Sequence, residues 1–150
     1  MENSTDILSR AQARAQQLGV PYRGVLLPDE AYALLQQEAN AVLVDVRSAA
    51  EWQFVGTVPQ AVGIELKCYP GMSHNPLFLD ILQGKVPQNA VLMFLCRSGA
   101  RSHEAGVLAA SVGYTQAYNV QEGFEGEKNP DGHRGMLNGW KGHHLPWSQS

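Results

Sequence analysis

Two runs in this chain, Ala41-Val-Leu-Val-Asp-Val46 and Val91-Leu-Met-Phe-Leu-Cys96, carry apolar residues at successive positions where a surface strand would alternate. Side chains of a strand point to opposite faces in turn, so such a run needs apolar cover on both sides. Segments of roughly ten residues with helical spacing flank both runs and can supply that cover. The pattern predicts an α/β domain with a mostly parallel central sheet of about five strands and helices on both faces.

Capping and breaking residues place the other elements. Ser4, Thr5 and Asp6 are N-cap candidates for a helix over residues 4–18, with Ile7, Leu8, Ala11, Ala15 and Leu18 on one stripe and Gly19 and Pro21 ending it. This helix, within residues 1–20, is expected to pack on or lead into a domain spanning 21–150. Gly24–Leu27 is a short strand, and Pro28-Asp29-Glu30 opens a helix reaching Asn40. Ala61–Leu66 reads as a weaker strand. Leu77 to Leu82 suits a helix ended by Gly84 and Pro87, Arg101 to Ser111 is a helix, and Ala117–Val120 is a last strand. Glycine-rich turns follow, then Trp140 and Leu145-Pro-Trp147 as a sealing tail.

Charge and length exclude several functions. Eleven basic residues face fourteen acidic ones, giving a net charge of −3, and no basic block stands out. A nucleic-acid partner is therefore not expected. No apolar run approaches the ~18–20 residues of a membrane span. Glu2 and Asp6 interrupt what a secretory leader would need, so the expected location is cytoplasmic. The cysteines, Cys68 and Cys96, make neither a disulfide framework nor a zinc pattern.

Chemistry concentrates after the second apolar run. Cys96 is followed by Arg97-Ser98-Gly99-Ala100-Arg101-Ser102 and then a helix. A cysteine closing an apolar strand is commonly an inert buried hydrophobe. Here, however, the small residues Ser98, Gly99 and Ala100 let the backbone curl so that successive N–H groups converge as an anion-binding nest. The helix adds its unpaired amides and the positive end of its dipole, and two arginines add charge. Such surroundings favour thiolate over thiol and would hold an anionic substrate beside it.

This CRSGARS segment resembles the active-site loop of rhodanese-type sulfurtransferases, the thiosulfate sulfurtransferase family. DVRSAAEWQFVGTVPQA at 45–61 is similar to the family's upstream signature, and EGF at 122–124, Trp140 and LPW at 145–147 to its closing segment. Thr57 and Val58 stand where the family usually has His and Ile, Gly63 replaces a common Asn, and residues 125–138 lengthen the gap before the tryptophan. The resemblance implies a single rhodanese-like domain in which Cys96 takes a sulfane sulfur from thiosulfate or a similar donor. The resulting persulfide would pass it to cyanide, a thiol or a protein. Amides from Arg97 to Ser102 would stabilise the sulfur anion, with Arg101 the direct contact for the donor and Arg97 a second contact or a steering charge. Asp45, Arg47, Glu51 and Trp52 are implied to be structural supports.

Rival readings remain on these residues. Cys-based phosphatases and arsenate reductases share the fold implied, but four residues separate Cys96 from Arg101, one fewer than in those enzymes. A non-catalytic binding or sulfur-carrier module is a second rival, although Cys96 is present. Thiol redox work with Cys68 as resolving thiol is a third. His133, His143 and His144 crowd the tail without metal-ligand spacing, while His74 and His103 read as solvent-facing. Neither metal nor cofactor is expected.

Overall fold

The structure is a computed structural model and describes residues 2–68 and 71–149. Helix α1 (Ser4–Leu18) is followed by strand β1 (Gly24–Leu26), α2 (Pro28–Gln37), β2 (Ala41–Asp45), α3 (Ala49–Phe54) and β3 (Val62–Gly63). Then come β4 (Lys67–Cys68), β5 (Ser73–His74), α4 (Phe78–Lys85), β6 (Val91–Leu95), α5 (Ala100–Ser111), β7 (Ala117–Val120) and α6 (Gly139–Gly142). Five strands form one parallel sheet in the order β1-β7-β6-β2-β3, and β4 and β5 pair as a separate antiparallel hairpin.

The two doubly apolar runs are the inner strands β2 and β6, paired from Ala41–Val91 to Asp45–Leu95. All five residues of β6 are buried. On one face Val44, Leu92 and Phe94 pack with Phe78 and Leu82 of α4 and Ala105 and Ala109 of α5. On the other, Leu43, Met93 and Leu95 meet Ile7 and Ala11 of α1, Ala31 and Leu34 of α2, Phe124 and Trp140. Each face thus receives the cover that successive apolar positions demand.

Local chemistry moves several boundaries. Asn3, not Ser4, Thr5 or Asp6, caps α1: its side chain accepts from the Asp6 amide at 3.1 Å. Helix α2 stops at Gln37 rather than Asn40, because Glu38 is extended and its carbonyl accepts from the Ala41 amide in the turn into β2. Of residues 61–66 only Val62–Gly63 is strand, at a sheet edge; beyond it Ile64 and Leu66 turn into the core. Helix α4 runs through Gly84 to Lys85. Helix α3, absent from the periodicity reading, is capped by Ser48, whose Oγ accepts from the Glu51 amide while the Glu51 carboxylate accepts from the Ser48 amide.

From β2 the chain continues outward to β3, and from β6 outward to β7. The strand order therefore reverses between β2 and β6, and the crevice beyond their carboxyl ends is where α/β sheets hold their ligands. Residues 45–47 and 96–102 meet there.

Candidate active site

Cys96 leaves β6 with its side chain inside the domain, 1% exposed. The Gly99 amide turns back and donates to Cys96 Sγ at 3.0 Å, and Ser102 Oγ lies 3.3 Å from the same sulfur. Gly99 has φ +113°, a conformation that a side chain would strain, and it caps α5 without a side-chain bond. The amides of Ala100, Arg101 and Ser102 follow in the first turn of α5. Together these donors put a positive dipole end beside the sulfur.

The loop's carbonyls are held from the other side. Phe124 N–H donates to the Cys96 carbonyl at 2.7 Å, and the Glu125 and Gly126 amides donate to the Arg97 carbonyl at 3.0 and 3.1 Å. Gly123 makes this approach possible: at its φ of +69°, a Cβ would sit 2.6 Å from the Arg97 and Cys96 carbonyl oxygens. The EGF segment is thus the outer wall of the cysteine loop, a role that its glycine signals but that no periodicity reveals.

Of the residues singled out in the sequence, Arg97, Ser98 and Ala100 are exposed on the rim, and Ser102 is fully buried. Arg101 does not reach freely over the sulfur. Its guanidinium binds Glu51 in two-pronged fashion, at 2.7 and 2.9 Å, with both side chains 11% exposed. Burial raises the cost of charge on Glu51, but the Arg101 hydrogen bonds and the Ser48 amide outweigh it and hold the carboxyl below the usual carboxylate range. Asp45 and Arg47 form a buried pair, Nη2 to Oδ2 at 2.6 Å; Arg47 also donates to the Gly56 carbonyl at 2.7 Å and stacks over the Phe124 ring at 4.3 Å. Trp52 lies over Gly63, where a Cβ would meet its ring at 2.9 Å. Thr57 and Val58, two departures from the family pattern, line a cleft of about 320 Å³ with Asp45, Trp52 and Gly63.

At the rim, Glu104 of α5 binds His74 at 2.7 Å and lies 3.9 Å from Lys67, fastening the β4–β5 hairpin to the helix. Tyr69 and Pro70, between β4 and β5, lie outside the described residues. Burial, with Glu65 beside it, pushes the Cys68 thiol up, the direction opposite to that of an activated nucleophile. In the tail, Trp140 is fully buried and donates to the Pro146 carbonyl at 2.9 Å, while Trp147 is 40% exposed and packs against Gly56. His143 binds Glu122 at 3.0 Å. Among the described residues no group of three or more His, Cys, Asp or Glu side chains is placed to hold a metal ion, and no helix is long and apolar enough to cross a membrane.

A cysteine presented at the switch point of a five-stranded parallel sheet, with the cap amide of the following helix donating to its sulfur, defines an α/β domain built around one sulfur. The profile of the rhodanese-like domain matches residues 27–129. The crystal structure of Rv0390 from M. tuberculosis superposes with a TM-score of 0.79 at 41% identity, covering 86% of this chain and 99% of that one. An uncharacterised Rickettsia conorii protein, RC0915, is 39% identical over 122 residues, 79% of this chain and 91% of its own. The thiosulfate:glutathione sulfurtransferase of Saccharomyces cerevisiae is 29% identical over 72% of this chain and 70% of its own. This chain belongs to the rhodanese-like domain family.

Proposed function

We propose that the protein is a sulfurtransferase that carries a sulfane sulfur as a persulfide on Cys96. The observation carrying this reading is the environment of one atom: Cys96 Sγ receives the Gly99 amide at 3.0 Å beneath the first turn of α5. The yeast relative's name, thiosulfate:glutathione sulfurtransferase, supports the same class of donor and acceptor. In the first half-reaction the Cys96 thiolate attacks the outer sulfur of a thiosulfate-like donor; the S–S bond breaks and its electron pair leaves with sulfite. In the second, an acceptor thiolate or cyanide attacks the outer persulfide sulfur, and Cys96 departs as thiolate. No net redox change and no metal or other cofactor is needed.

The roles of the arginines are assigned within this proposal. Exposed Arg97 draws the dianionic donor toward the loop, and Arg101, held by Glu51, fixes the first turn of α5 so that its amides face the incoming sulfur. Residues 98–100 supply the curve, and Asp45, Arg47 and Glu51 support it. A loop with four residues between Cys96 and Arg101, whose arginine is already bound to Glu51, offers a tetrahedral phosphate little clamp.

Incubation with thiosulfate followed by intact mass measurement tests the proposal. Wild type and Cys68→Ser are expected to gain one sulfur, about 32 Da, and Cys96→Ser none. Retention of the added sulfur in Cys96→Ser would overturn the assignment.

A further inference from the structure

Ser102 has one hydroxyl hydrogen and three acceptors around it: Asn119 Oδ1 at 2.6 Å, the Gly99 carbonyl at 3.0 Å and Cys96 Sγ at 3.3 Å. Which of them receives it follows from the surroundings of Asn119, an 8% exposed residue of β7 paired beside Phe94. Its amide nitrogen faces the Gly99 carbonyl and the Tyr22 hydroxyl, both at 3.4 Å. A carbonyl only accepts, so the NH2 group belongs on that side and the amide oxygen faces Ser102. That oxygen also only accepts, and at 2.6 Å it takes the hydroxyl hydrogen. Toward Cys96 the serine is left with lone pairs, which accept from a thiol and oppose a thiolate. Tyr22 completes the chain, its hydroxyl 2.8 Å from His103 Nδ1 on the exposed side of α5.

The geometry points to Asn119 as a positioning residue that decides whether Ser102 donates to the Cys96 sulfur or accepts from it. Gly99 N–H then donates to the sulfur while Ser102 presents it with an acceptor. The charged groups around the loop are Arg97 and Arg101 on its own segment, the latter with Glu51 of α3; Arg47 with Asp45 after β2; and Glu122 after β7, whose carboxylate accepts from Gly139 and bonds His143. The hydrogen bonds of Asn119 run to Ser102, the Gly99 carbonyl and the Tyr22 hydroxyl, so its replacement acts on the hydrogen-bond direction at Ser102. The inference takes Cys96 as the nucleophile, but its test uses no sulfur donor and so stands or falls separately from the proposed reaction.

Thiolate ultraviolet absorbance, titrated in a Cys68→Ser background, reports Cys96 alone. Asn119→Leu keeps the branched shape and removes the acceptor; once Cys96 ionises, the charged sulfur outcompetes the neutral Gly99 carbonyl for the freed hydroxyl hydrogen, and the ionisation midpoint should fall by about one pH unit. Asn119→Asp keeps an acceptor facing Ser102, and its midpoint should stay at or above that of the parent. With Ser102→Ala present, Asn119→Leu should move nothing. A midpoint that stays or rises in Asn119→Leu, falls in Asn119→Asp, or falls equally without the Ser102 hydroxyl would overturn the inference. Circular dichroism identifies a variant that has lost its fold, and Asn119→Asp then carries the test.

Discussion

At the scale of single residues, the site is governed by pairings that remove freedom from charged groups. The bidentate Arg101–Glu51 pair is nearly buried, so loss of one partner strands the other. Glu51→Ala is expected to cost about 3 kcal/mol in urea unfolding and, in the proposed reaction, to lower kcat more than KM, because α5's first turn loses its anchor while the steering role proposed for Arg97 is untouched. Glu51 and Glu30 are both held below the usual carboxylate range: burial opposes the charged form in each, and Arg101, or Arg14 and Arg10, overcome it. A carboxyl lower in the folded than in the unfolded chain contributes stability above the unfolded value, about 4.3. That contribution disappears as pH falls through the lower folded value. Urea midpoints are therefore expected to drop as pH falls below about 4, with a smaller drop in Glu51→Gln.

Elements position the site through their ends. Ser48 and Glu51 close α3 with a reciprocal cap, and the same carboxylate reaches α5, so one acidic side chain orients two helices. Ser48→Ala is expected to destabilise the fold by ~1 kcal/mol, measurable by thermal unfolding. Gly123 sets how closely the segment after β7 approaches the cysteine loop. Gly123→Ala would force that segment off the Cys96 and Arg97 carbonyls and place a residue at positive φ. Stability should fall by about 1–3 kcal/mol, and the added sulfur on Cys96 should form more slowly in timed mass measurement.

For the whole molecule, α1 is part of the scaffold that covers the sheet. Ile7 and Ala11 are buried against the α2 side, and Arg10 and Arg14 clamp buried Glu30 at 2.6 Å each. Removing residues 1–20 would expose that face and leave Glu30 without its cations, so the shortened chain is expected to aggregate or to melt well below the full one.

The doubly apolar runs, the cap-and-breaker residues and the CRSGARS loop made the parallel sheet, most helices and the position of Cys96 legible without coordinates. These are local signals: periodicity, backbone preference and residue type act within a few positions along the chain. Helix α3 was not read from the sequence, although the Ser48-Ala-Ala-Glu51 spacing of a capping box carries a local signal for it. Which charges pair was not legible. Arg101 meets Glu51 across fifty positions, and Asn119 meets Ser102 across seventeen, because the strand order brings β7 beside β6 and the start of α3 beside that of α5. A side chain's type states what it can bond, and only the packed sheet decides which partner lies within 3 Å of it.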